Sequence, residues 1–200
     1  MKTNSFAEGV NFGNQALSSA FFKPNIIFLS MLERKESIKG FPTIMTEAKR
    51  LGLGVILYVP HPRALLGQEQ KINVWIDDRA GQWNIDKGTG SIDLPILTAF
   101  KLMQNWNADI RLISVVNNKD EKKSAKRFLK DIVELARLPI TDTEVMVGEM
   151  DSLIKNGPYA DINIFATEDN INLDYCADMI NQTETSCLFI QDSGNENILA

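Results

Sequence analysis

Apolar residues in this chain fall into two kinds of run, and the two kinds alternate. Short continuous runs rich in β-branched residues occur at 25–31, 54–59, 71–76, 109–116, 143–147, 161–167 and 187–191. Runs of that length with no polar alternation suit strands buried on both faces. Between them lie longer stretches with helical spacing, at 41–51, 92–106, 117–137, 150–156 and 172–183. Punctuation agrees with this division. Pro24 opens the first strand run, where a missing N–H does no harm. Pro42 fits the first turn of the 41–51 helix, and Gly52 and Gly54 end it. Pro60 and Pro62 stop the second strand.

Residues 4–22 also carry helical spacing (Phe6, Val10, Leu17, Phe21), interrupted by Gly9 and Gly13. Glycine costs about 1 kcal/mol in a helix interior, so a frayed or broken helix is expected there. The resulting order is β-α-β followed by β-α-β-α-β-α-β-α-β. Such alternation predicts an α/β fold, a mostly parallel sheet with helices on both faces. The organisation expected is a helical segment over 1–24, an α/β domain over 25–192 and a disordered polar tail over 193–200.

The 92–106 helix stands apart. Ile96, Phe100, Met103 and Trp106 form one apolar stripe, and Leu94, Leu97 and Leu102 lie off it. A surface helix needs a single apolar face. The second face predicts a partner, either a neighbouring helix or a second copy of the chain. By contrast, Ala125, Phe128, Leu129, Ile132 and Leu135 make one core stripe in the 117–137 helix. Its basic residues (Lys119, Lys122, Lys123, Lys126, Arg127, Lys130) lie mostly opposite.

Composition narrows the function. At 200 residues the chain is long enough to bury a sizeable core. Two cysteines, Cys176 and Cys187, argue for a reducing compartment and against a disulfide scaffold. The single histidine, His61, excludes His-rich zinc sites within one chain. No apolar run approaches the ~20 residues that span a bilayer, and no secretory leader pattern opens the chain. Charge is unevenly distributed. Residues 1–140 hold 20 Lys and Arg against 14 Asp and Glu, whereas residues 141–200 hold Lys155 alone against 12 acids. This predicts a basic and an acidic surface, the basic one suited to weak contact with an anionic membrane surface. The basic residues are not interleaved with aromatics, so nucleic acid is not an expected partner.

Candidate chemistry is sparse. Asp77 and Asp78 end a strand, with Asp86 and Asp93 nearby, and clustered carboxylates at that edge of a parallel sheet can hold Mg²⁺. The plainer reading makes them turn residues, with Asp93 as a helix N-cap. Gly88-Thr89-Gly90-Ser91 precedes a helix, but the third glycine of a dinucleotide fingerprint is replaced by Asp93, and a P-loop lysine is absent. No ATP, ADP or Mg²⁺ binding is therefore expected, and no catalytic, cofactor or metal residue is assigned. His61 between two prolines reads as a turn residue, and both cysteines as small buried hydrophobes. Trp75, Trp83 and Trp106 read as core.

Three segments carry a resemblance. They are Phe22-Lys23-Pro24-Asn25-Ile26-Ile27 opening an apolar strand, Ile72-Asn73-Val74-Trp75-Ile76, and Asp93-Leu94 leading an apolar helix to Trp106, followed by the strand at 110–116. Over residues 15–167 the chain resembles the cytosolic C-terminal domain of cation–chloride cotransporters, particularly the prokaryotic members. That resemblance implies a universal-stress-protein-like α/β domain on the cytoplasmic side of the membrane, non-enzymatic and without a cofactor. It also implies a homodimer and a link to the transmembrane transporter domain of the same polypeptide, which moves Na⁺, K⁺ and Cl⁻. The family's upstream subdomain is not expected in this chain, which reads as a fragment or as one half of the family's two-part tail. The alternative is a stand-alone universal-stress-like or receiver-like domain binding nucleotide or Mg²⁺ near Asp77, Asp78 and 88–91.

Overall fold

A computed structural model describes residues 6–18, 21, 23–31, 40–77, 82–85, 89–140, 142–167 and 172–200. Seven strands form one sheet: β1 (Ile26–Ser30), β2 (Gly54–Val59), β3 (Lys71–Ile76), β4 (Asp109–Val116), β5 (Asp142–Val147), β6 (Ile162–Thr167) and β7 (Ser186–Gln191). Among the described residues the helices are α1 (Phe6–Ser18), α2 (Phe41–Arg50), α3 (Asp93–Trp106), α4 (Lys122–Leu135), α5 (Met150–Ile154) and α6 (Leu173–Thr183), with a 3-10 turn at Lys119–Glu121 before α4. The predicted alternation is therefore observed, with most boundaries shifted by a residue or two; the 117–137 helix becomes an α-helix only at Lys122, after the 3-10 turn, and α1 ends at Ser18.

Sheet order is β1-β2-β7-β6-β3-β4-β5. Every neighbouring pair is parallel except β2 with β7. The sheet is thus two parallel blocks joined back to back. The small block, β1-α2-β2, comes from the first part of the chain, and the five-stranded block from the rest. The joint is a full antiparallel ladder from Val55 opposite Gln191 to Val59 opposite Cys187.

Each strand face has its own core. Ile56, Ile72, Val74, Ile110, Leu112, Ile164 and Ile190 point to the side covered by Ile96 and Ala99 of α3 and by Ala125, Phe128, Leu129 and Ile132 of α4. Val55, Leu57, Trp75, Ile113, Phe165 and Phe189 point to the other side, under Ile44, Met45 and Ala48 of α2 and Cys176 and Met179 of α6. Burial of both faces is why these strands show no alternation in the sequence. On the second side Trp75, Phe165 and Phe189 stack across three adjacent strands, with ring centroids 6.2 and 5.3 Å apart. Offset aromatic pairs of this kind add to the area they bury.

Three expectations meet a different arrangement. First, α1 is a continuous helix, not broken at its glycines. It lies against α2 so closely that a Cβ on Gly40 would meet Ala7 Cβ at 2.5 Å. Packing of Ala7 and Val10 against the second core holds the helix despite its glycines. Second, the second apolar face of α3 is used inside the domain. Leu97, Leu102, Met103 and Trp106 all pack against the first core. The helix runs over β3, β4, β6 and β7, so a wide arc of its surface is covered. Third, the residues after 192 are held on the domain and do not form a free tail. Ile198 is only 6% exposed and belongs to the first core, and Asn195 Nδ2 donates to the Gly52 carbonyl at 3.4 Å.

Candidate functional site

Ligands of open parallel sheets gather at the carboxyl ends of the strands, near the helix N-termini that favour anions. In this protein the N-terminus of α3 is already engaged. The Leu94 N–H donates to Asp192 Oδ2 at 2.9 Å, so the polypeptide's own carboxylate takes the anion position. Asp192 Oδ1 also accepts the Gly194 N–H at 2.7 Å. Glu196, three residues on from Ser193, accepts both its N–H (3.0 Å) and its hydroxyl (2.7 Å). Burial pushes the Asp192 carboxyl up to about 6, and adjacent Glu196 pushes the same way against the Leu94 hydrogen bond. Burial acts to raise Glu196 as well, but hydrogen bonds from Ser193 and Asp192 outweigh it and hold Glu196 below the usual carboxylate range. Gly54 allows this close approach. A Cβ there would meet Leu94 Cδ2 at 2.6 Å and Glu196 Oε1 at 3.2 Å.

The candidates read from the sequence take these places. Asp77 is exposed at the end of β3, whereas Asp78, Asp86 and Gly88 lie outside the described residues. Asp93 is not the N-cap of α3. Ile92 holds that position, and buried Asp93 sits in the first turn, accepting from the Thr89 hydroxyl at 2.6 Å. His61 is a turn residue: its Nδ1 accepts the Ala64 N–H at 3.0 Å, and its own N–H donates to Ser186 Oγ at 2.9 Å. Cys176 and Cys187 are buried, and burial pushes both thiols up to about 12, far from reactive thiolates. Trp75 and Trp83 are core. Trp83 packs edge-on against Phe128 and donates Nε1–H to Glu121 at 2.7 Å.

The opposite edge of the sheet holds a polar constellation that sequence reading passed over. Asp161, just before β6, is 2% exposed and gathers four donors. The backbone N–H groups of Gln68, Gln70 and Lys71 each lie 2.9 Å from it, and the Tyr159 hydroxyl lies at 2.7 Å. Burial acts to raise its carboxyl, yet these donors prevail and hold it below the ordinary carboxylate value. Ser186, at the start of β7, accepts from His61 and donates to the Leu65 carbonyl. Together Asp161 and Ser186 fasten residues 61–71, the strap between the two parallel blocks. Within the strap Gly67 has φ +63°, and a Cβ there would sit 2.5 Å from Asp161 Oδ1.

Beside the strap, Asn73 of β3 and Asn163 of β6 are register partners. Asn163 Oδ1 accepts from Trp75 Nε1 at 2.8 Å and from Asn73 Nδ2 at 3.3 Å, and its Nδ2 donates to Thr185 Oγ1 at 2.8 Å. An open cavity of about 810 Å³ adjoins this network, lined by Trp75, Tyr159, Asn163, Thr183 and Glu184 among others. The available signal was an asparagine inside each of two otherwise apolar strands. Its meaning depends on β3 pairing with β6, which no local pattern reveals. A third feature is a shallow cleft of about 350 Å³ against α4, lined by Lys123, Lys126, Arg127, Lys130 and Thr143.

Among the described residues no helix is long and apolar enough to cross a membrane, and no cluster of three His, Cys, Asp or Glu side chains is placed to hold a metal.

Comparison with known proteins places the two parallel blocks. Residues 67–199 match the family described as prokaryotic cation-chloride cotransporter, C-terminal domain, 2nd, and residues 1–66 match its companion, C-terminal domain, 1st. The upstream subdomain thought to lack a counterpart is therefore present, as the small block built on α1, β1, α2 and β2. A crystal structure of the cytoplasmic domain of a prokaryotic cation chloride cotransporter superposes with a TM-score of 0.89 at 33% identity, covering 96% of this chain and 73% of that one. A universal stress protein from Archaeoglobus fulgidus DSM 4304 superposes at 0.51 with 10% identity, over 90% of this chain and 64% of that one, a likeness of fold alone. No curated protein matches the chain. The two-block sheet and both family matches make this chain a member of the prokaryotic cation–chloride cotransporter family, comprising its cytoplasmic C-terminal domains.

Proposed function

We propose that the domain is a non-catalytic regulatory part of the cotransporter and that it pairs two protomers. Support for the non-catalytic reading is that several of the described groups suggesting chemistry in the sequence hold structural posts. His61 closes a turn, the thiols are buried, and Asp192 fills the helix N-terminus where a phosphate would otherwise be drawn. The family match also favours this reading over the receiver-like alternative.

The observation that carries the pairing reading is where apolar surface lies exposed. It is not on α3, whose leucines face the core. Much of it is on the small block, where Phe28 of edge strand β1 is 62% exposed and Phe12 and Leu17 of α1 are also exposed. An open edge strand with an apolar rim is a ready contact for a second copy. A two-fold interface uses the same patch twice, and tethering to the transporter raises the effective concentration of the two domains. Analytical ultracentrifugation of the domain at high concentration is expected to show a dimer, weakened at least tenfold by Phe28→Lys with circular dichroism unchanged. A strictly monomeric wild type overturns the proposal.

A further inference from the structure

The charged helices of this domain are sorted by face. Helices α3 and α4, on one side of the sheet, carry six basic residues against three acidic ones. Helices α1, α2, α5 and α6, on the other side, carry two basic against five acidic. The basic excess is concentrated on α4, where Lys122, Lys123, Lys126, Arg127 and Lys130 are all exposed and spread over one arc at i, i+3 and i+4 spacing. Its opposite arc (Ala125, Phe128, Leu129, Ile132) is locked into the core. The basic arc is thus fixed in direction by burial of the other. Helix α4 also packs on β4 and β5, and β5 is the sheet edge remote from β1. The basic arc therefore lies far from the apolar rim of the small block.

The acidic residues near it do not neutralise it. Asp131 and Glu134 flank the arc and meet Arg127 at 3.8 Å and Lys130 at 3.4 Å. Such exposed i,i+4 pairs are weak and easily exchanged. Glu121 is bound to Trp83 Nε1, and exposed Asp120 lies in the turn before the helix beside Lys119. The 350 Å³ cleft on this arc is lined by Lys123, Lys126, Arg127, Lys130 and Thr143, with no carboxylate among them. Four cationic side chains gathered around one open cleft supply the charge that attracts anionic headgroups.

We infer that the α4 face is a docking surface for the anionic inner leaflet, orienting the domain with α4 toward the bilayer and α6 away from it. The partner follows from family membership. A cytoplasmic domain of a membrane transporter is held permanently within reach of one extended polyanion, the bilayer to which it is tethered. This inference does not depend on pairing, since it uses the other end of the sheet.

The test is co-sedimentation of the 200-residue chain with vesicles of phosphatidylcholine containing about a third phosphatidylserine. Binding is expected at low salt, falling steeply as added salt shortens the screening length. Each lysine facing the surface is worth roughly fivefold in partitioning. Lys126→Glu combined with Lys130→Glu should therefore weaken binding by well over tenfold. Lys155→Glu, beyond the α5 end on the other face, should leave it nearly unchanged. These side chains are exposed, so folding monitored by circular dichroism should be unaffected in all three proteins. Absence of binding by the folded wild type at low salt overturns the inference. So does equal binding by the doubly reversed variant, or binding of inorganic phosphate with none to vesicles.

Discussion

Asp161 is the residue on which most backbone depends. Its two oxygens satisfy three N–H groups of the strap, and replacing it with alanine would strand them in a site with little access to water. Each stranded donor costs about 1 kcal/mol, so Asp161→Ala should lose about 3 kcal/mol in urea unfolding at pH 7, and Asp161→Asn less. The pH dependence has a definite sign. The folded carboxyl lies below its ordinary value, so its contribution is present above about pH 4 and is lost as pH falls through the folded value. The alanine variant should show a shallower loss of stability below pH 4 than the wild type. An equal acid limb in both proteins would contradict this account. Sequence reading overlooked Asp161 for a physical reason: an aspartate before a strand is common turn chemistry, and only the return of the strap from residues 68–71 gives it a second role.

At the scale of elements, helix α3 separates what sequence pattern can and cannot decide. Its existence, length and apolar excess were legible, as were the strands; for the inner ones, burial on two faces leaves a continuous apolar signature, and the half-buried edge strands β1 and β5 were marked by their β-branched residues. What covered its second face was not legible, since a helix spanning four strands and a helix shared between two copies look alike in one dimension. The structure turns Leu97 and Leu102 inward. Introducing a charge at either should therefore destabilise the fold by about 2 kcal/mol or more, as an unpaired charge at a core boundary does. A lowered melting temperature is the expected readout. Dissociation of a dimer with unchanged stability would instead return α3 to the pairing surface. Strand order was equally hidden. Each βαβ unit announces its own parallel pairing, but nothing local reveals that β2 runs antiparallel beside β7.

That joint makes the whole molecule one mechanical unit despite matching two family domains. Every residue of β7 is buried, and β2 covers one of its edges. Heating should therefore give a single cooperative transition with coincident near- and far-ultraviolet signals. A truncated protein beginning at residue 67 would expose the apolar edge of β7, and it should aggregate under conditions where the full chain does not. Two resolved transitions, or a well-behaved truncated monomer, would show that the blocks are separable. The unequal charge along the sequence became informative only when the sheet distributed the helices to its two sides.

The strap carries a consequence for recombination between relatives. Asp161 and Ser186 recognise it through main-chain groups: the N–H of His61, Gln68, Gln70 and Lys71 and the carbonyl of Leu65. Main-chain recognition is blind to side-chain identity. The seam between the two domains should thus accept many foreign sequences of the same length, provided that His61, whose side chain closes the turn on Ala64, is kept and that positions 65 and 69, at φ +49° and +58°, avoid proline and β-branched residues. Position 67 must stay glycine, because its left-handed backbone leaves no room for a side chain against Asp161. Chimaeras joined within the strap would inherit a ready-made fastening, whereas an insertion of a single residue would put every one of those amides out of step.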